Sequence, residues 1–188
     1  MNVYDFDKTI FYPDSSYCFF CFCLRHYPRA VLKSLPVAGV TGLQWFIKQA
    51  DTRHLKEKLF SFLPYLDNVD AIVQEFWAEY QSNIADWYLA QKRDDDLIIS
   101  ASPEFLLRPI TEKLGVQLIA TRMDSRTGRI TGNNCHDSEK ISRFLRDYPN
   151  GSVDVFYSDS LSDSPMAWFA SKAFLVKEGR ELVPWPNK

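Results

Sequence analysis

Four short patches of this 188-residue chain carry side chains suited to chemistry. Asp5 and Asp7 stand two residues apart in Asp5-Phe6-Asp7-Lys8-Thr9, at the end of the apolar segment Val3–Asp5. Side chains alternate along an extended segment, so both carboxylates point the same way. Ser100-Ala101-Ser102 closes the apolar run Leu97–Ile99, and Lys140 opens a helical stretch. Ser158-Asp159-Ser160-Leu161-Ser162-Asp163 follows Val153–Tyr157. Carboxylates serve as nucleophiles or as general acids and bases, and lysine supplies a point charge. Taken singly, each residue is as well explained as a turn former or a helix cap. Their common place at strand ends makes them a set, because ligands of a parallel α/β sheet bind beyond the carboxyl ends of its strands.

The elements that must hold these residues alternate. Strands are expected at Val3–Asp5, Leu97–Ile99, Val116–Thr121, Val153–Tyr157 and Ala173–Val176. Ser102 is the expected N-cap and Pro103 the first residue of a helix that stops at Gly115. A hairpin over Arg122–Thr131, a helix over Ser138–Asp147 and another from Ser162 complete this half. Alternation of this kind implies a Rossmann-like three-layer α/β core around a parallel sheet. Between the first two strands lies a long helical stretch. Its apolar residues recur at three- and four-residue spacing (Leu55, Leu59, Phe62, Leu63; Val73, Phe76, Trp77, Tyr80), and Pro28, Pro36 and Pro64 divide it. The expected division is a core of residues 1–11 and 93–188 and a helical cap domain of 12–92, with Asp94-Asp95-Asp96 as a solvated hinge turn.

Together the four patches resemble the haloacid dehalogenase (HAD) superfamily in its phosphoserine-phosphatase-like branch. DFDKT matches its DxDxT motif, LIIS its Ser/Thr after an apolar strand, Lys140 after Gly132 its lysine, and DSLSD its paired acids. The resemblance covers the whole core and, by position, the cap. It implies a phosphoric monoester hydrolase acting through an aspartyl-phosphate. Asp5 would be the nucleophile, Asp7 the general acid and base, and Lys140 the counter-charge. Ser100, the Ala101 N–H and Thr9 would hold phosphate, although Thr9 suits a purely loop-bracing role equally. Mg²⁺ would sit on the Asp5 carboxylate, the Asp7 carbonyl and Asp159, with Asp163 holding a metal-bound water or Lys140. Lys8 departs from the glycine common at its position. A dehalogenase is disfavoured, since Asp7 serves an alkoxide leaving group and halide needs no proton. Phosphotransfer to another acceptor is an alternative on the same fold.

Asp14 matches an acidic residue that reads the substrate amine in that branch; its other reading is an N-cap. Arg53 is read, with Lys48, Lys56 and Lys58, as a solvated helix face. The apolar run around Tyr17–Leu24, flanked by Arg25, Arg29 and Lys33, opens the alternative of a phospholipid head-group phosphatase at a membrane surface, which is not favoured.

A net charge of −2 argues against a nucleic-acid partner, and a small phosphate ester is the expected one. Nothing in the sequence speaks to oligomeric state. The start of the chain has no basic and apolar leader, and Tyr17–Leu24 and Leu35–Ile47 are too short to span a bilayer. With Cys18, Cys21, Cys23 and Cys135 read as reduced thiols, the expected compartment is the cytoplasm. Cys135-His136-Asp137 is not read as a triad, since adjacent residues rarely converge on one point. His26 and His54 are read as solvated or packed.

Overall fold

A computed structural model describes residues 1–38 and 52–186. Most of the apolar run Leu35–Ile47, and Lys48, therefore lie outside the described residues. Six strands, β1 (Val3–Tyr4), β2 (Leu97–Pro103), β3 (Gln117–Thr121), β4 (Val155–Ser158), β5 (Lys172–Lys177) and β6 (Glu181–Pro184), form one sheet in the order β3-β2-β1-β4-β5-β6. All neighbours are parallel except β5 and β6. β1 is central: Val3 pairs with Leu97 on one side and Phe156 on the other.

Adjacent residues of the central strands point to opposite faces, and each face builds its own core. Tyr4, Ile98 and Tyr157 join Phe6, Phe19, Phe60, Phe76 and Leu106 on one side. Val3, Leu97, Ile99 and Phe156 pack with Cys135, Phe144 and Met166 on the other. Near-continuous apolar runs are what a strand covered on both faces requires.

Helices α1 (Ser15–His26), α2 (Pro28–Ala38), α3 (Thr52–Leu59), α4 (Val69–Tyr80) and α5 (Asp86–Gln91) lie between β1 and β2. α6 (Glu104–Leu114), α7 (Ser138–Asp147) and α8 (Ser164–Phe169) connect the later strands. Asp14 caps α1 by accepting from the Tyr17 N–H at 2.9 Å, and Asn68 caps α4 through Ala71 N at 3.1 Å. The inserted helices share the core of the sheet face they cover, and the Trp77 indole of α4 donates to the Leu106 carbonyl of α6 at 2.6 Å. Gly115 ends α6 at φ +70°, a conformation glycine reaches without strain.

Several expectations are corrected. β2 runs on to Pro103 and α6 begins at Glu104, so Ser102 is not an N-cap; its hydroxyl is committed elsewhere. Pro36 lies within α2 and does not divide it. The stretch before Ser164 is a single 3₁₀ turn, Leu161–Asp163. Asp96 is not solvated: it is fully buried, with Oδ2 accepting from the Arg93 N–H at 2.8 Å. β6, absent from the expectations, is a four-residue edge strand ending in proline, with too little apolar alternation to signal itself. The Arg122–Thr131 hairpin is present as a loop closed by one bridge, Met123 to Ile130.

Candidate active site

A cavity of about 590 Å³ opens beyond the carboxyl ends of β1, β2 and β4, and Asp5, Asp7, Ser100, Ala101, Lys140, Asp159 and Asp163 all line it. β1 delivers Asp5, whose N–H donates to the Tyr157 carbonyl at 2.8 Å. The chain then leaves the sheet in a tight loop in which Thr9, Ile10 and Phe11 N–H groups all donate to the Phe6 carbonyl. Lys8 sits at φ +58° in this loop, which explains why glycine suits its position. Asp5 and Asp7 thus face one cavity, but a loop rather than strand alternation aims Asp7.

Lys140 is the hub. It is 2% exposed, and its Nζ donates to Asp5 Oδ1 and Asp163 Oδ2, each at 2.6 Å. Burial alone pushes a lysine towards neutrality, but the two carboxylates outweigh it and raise Lys140 above its ordinary range. Asp163 also accepts from the Ser158 hydroxyl at 2.6 Å. Burial raises the Asp5 carboxyl against the pull of Lys140. Thr9 is fully buried, donating to Asp5 Oδ2 at 3.4 Å and accepting from the Asp159 N–H at 3.0 Å. It stands behind the cavity wall and braces two acids, rather than facing a ligand.

Asp7 is held by two donors: the Ser15 N–H reaches Oδ1 at 2.6 Å, and the Ser102 hydroxyl reaches Oδ2 at 2.5 Å. Ser15 and Ser16 hydroxyls lie 3.3 and 3.0 Å from that of Ser102. Burial, then the Asp14 charge, push Asp7 up to about 7, against the two donors. Asp159 is raised to about 6 by burial and by Asp5. No hydrogen bond from another described residue reaches its carboxylate, which fronts the cavity. Asp14 lines the cavity too, yet one of its oxygens is engaged as the α1 cap. Ser100 Oγ accepts from the Ser102 N–H at 3.1 Å.

One residue read as solvated is not. Lys56 of α3 lines the cavity, donating to the Ala101 carbonyl at 2.5 Å and to Asn134 Oδ1 at 3.0 Å. Burial lowers it to about 8, against the pull of Asp7, Asp14 and Asp5. The signal was present: Lys56 lies between Leu55 and Leu59 on α3, one turn before Phe60 at its end, on the wrong face for a solvated charge. Arg53, from the same helix, donates to the Ile130 carbonyl at 2.9 Å, and Glu57 accepts from the Ile130 N–H at 2.9 Å. His136 lines the mouth, 3.3 Å from the Ser162 hydroxyl, while Cys135 is buried in the second core, away from it. His26 lies against the Phe22 ring. All four cysteines are free, and burial pushes the Cys23 thiol up to about 12.

The family model described as haloacid dehalogenase-like hydrolase matches residues 3–167. No match is found among curated proteins. Among solved structures, the chain is similar to a protein of unknown function from Bordetella pertussis Tohama I, at 22% identity and TM-score 0.71, over 92% of this chain and 87% of that one. It is similar to a phosphoserine phosphohydrolase-like protein from Francisella tularensis subsp. tularensis SCHU S4, at 17% identity and TM-score 0.50, over 92% and 86%. A phospho-aspartyl intermediate analogue of phosphoserine phosphatase aligns at 16% identity and TM-score 0.53, over 91% and 83%. At these identities the likeness establishes the fold.

Proposed function

The chain belongs to the haloacid dehalogenase-like hydrolase family, and on that footing we propose that it is a Mg²⁺-dependent phosphatase of small phosphomonoesters. The observation that carries this reading is the joint placement of Asp5, fixed by Lys140 at 2.6 Å, and Asp7, held by the Ser15 N–H and the Ser102 hydroxyl, on one cavity. Asp5 attacks phosphorus as the bond to the leaving oxygen breaks, and the Asp7 proton passes to that oxygen. Water then attacks the aspartyl-phosphate, its proton goes to Asp7, and the bond from phosphorus to Asp5 breaks. Ser100 and the Ala101 N–H hold phosphate oxygens; Lys140 balances charge on Asp5. The inserted helices, residues 12–92, act as a cap over the core of 1–11 and 93–188.

The residues present fit Mg²⁺. Among the described residues no three acidic, histidine or cysteine side chains form a ready cage. The Asp5 and Asp159 carboxylates with the Asp7 carbonyl are the oxygen-only set of one or two carboxylates that this ion prefers. When bound, it would offset the repulsion between these carboxylates and a phosphate dianion. Four free thiols support a reducing compartment, in keeping with the cytoplasm.

The test is a screen of phosphorylated metabolites with Mg²⁺, with Asp5→Asn as control. Turnover is expected to need Mg²⁺ and to vanish in the variant; equal rates with EDTA, or in Asp5→Asn, would sink the mechanism. A second reading, hydrolysis of phospholipid head groups, is favoured by exposed Tyr17 and Leu24 on α1 and by Leu32 on α2, a helix that also carries exposed Arg29 and Lys33. Faster turnover of lipid phosphates in anionic vesicles than of soluble esters would establish it in place of the first.

A further inference from the structure

The mechanism above makes no use of Lys56, although it places a half-buried ammonium in the wall of the active cavity. Its two bonds do not go to acids. They go to the Ala101 carbonyl, in the segment proposed to cradle phosphate, and to Asn134 Oδ1. Asn134 is itself fixed: its oxygen also accepts from the Thr121 hydroxyl at 2.9 Å, and that hydroxyl accepts from the Cys135 N–H at 2.9 Å. Lys56 therefore spans from α3 to two walls of the core at once. An ammonium has three N–H donors, so two bonds leave one for an anion in the cavity. Hydrogen bonding of the Ala101 carbonyl to a cation also polarises the Ala101–Ser102 peptide, whose N–H is the donor that holds Ser100 Oγ at 3.1 Å.

We propose that Lys56 is a positioning residue of the inserted helices: it sets the Ser100–Ala101 cradle so that the site binds a tetrahedral oxyanion only with α3 docked. The inference rests on the phosphatase reading for the nature of the ligand. It differs from a role in reading the leaving group, because the group held is the cradle backbone.

Lys56→Met, Lys56→Arg and Arg53→Met separate these roles, the last removing the bonds from the same helix to the Ile130 carbonyl and to Glu57. In calorimetry with tungstate, Lys56→Met is expected to weaken binding at least about tenfold, Lys56→Arg to recover part of it, and Arg53→Met to weaken it far less. In turnover, Lys56→Met is expected to lose about 100-fold in kcat/KM, the scale of a small misplacement of reacting groups. That loss should be equal for aryl phosphates and for esters with a carboxylate in the leaving group. A loss confined to anionic leaving groups would overturn the proposal, as would tungstate affinity unchanged in Lys56→Met or lowered equally in Arg53→Met. A wild-type chain that binds tungstate through Lys56 but hydrolyses no ester would refute the phosphatase reading and leave this one standing.

Discussion

At the residue scale the site turns on which groups keep a proton. Asp7, raised to about 7, is partly protonated at neutral pH, as an acid that must give up a proton and take one back requires. The rate of leaving-group protonation is expected to fall as pH rises through 7, read from a pH–rate profile with an alkyl phosphate. Asp7→Asn should still release nitrophenolate, which needs no proton, in a burst stoichiometric with enzyme, and then stall for want of a base. Absence of both burst and turnover would remove the acid–base role from Asp7. The same shift carries a stability consequence. The folded chain holds a proton that the unfolded chain loses near pH 4, so this contribution is full below that value and is lost as pH rises through about 7. Asp7→Asn should therefore melt higher than the parent at pH 8, and the gap should close at pH 4. Lys140 carries the opposite risk. Lys140→Met leaves Asp5 and Asp163 buried without their cation, and a loss of about 3–5 kcal/mol is expected in urea titration.

At the element scale the contact between α3 and the loop over Arg122–Thr131 matters most. Gly128 stands at φ +70°, and a Cβ there would lie 2.4 Å from the Phe60 carbonyl oxygen, just beyond α3. Gly115 has the same φ but nothing within 4 Å of such a Cβ. Gly115→Ala should cost only the left-handed strain, about 1–2 kcal/mol, and leave kcat/KM alone. Gly128→Ala must in addition displace Phe60, and with it the helix that holds Lys56, so it should lower kcat/KM as well as the melting temperature. Equal catalytic efficiency in the two variants would show that α3 does not need this seat. The contact also shows where sequence reading ran out. The alternation of strands and helices was legible because burial on two faces writes itself as continuous apolar runs, and the helix Ser138–Asp147 was expected with the bounds it has. Ser102 was misplaced because a serine before proline and glutamate is a good cap locally, whereas the bond it makes is to Asp7, 95 residues away. Lys56 was missed because a cluster of basic residues reads as solvated until the apolar face is mapped.

Across the whole molecule, the sheet order puts β1 between β2 and β4, so Asp5 follows a strand flanked by the two that lead to Ser100 and to Asp159. Asp5, Asp7, Ser100, Lys140, Asp159 and Asp163 were legible as a set because each lies at or just past a strand end or in the first turn of a helix, and that topology gathers such ends at one rim. Among the described residues, the aromatic side chains of the helices between β1 and β2 and those of the sheet share one core cluster. Trp77 lies on that seam, 4% exposed, with its indole N–H on the Leu106 carbonyl. The molecule thus contains its own optical gauge. In a chain whose other four tryptophans are replaced by phenylalanine, the emission of this one indole would report in real time whether the two halves of the core part during turnover.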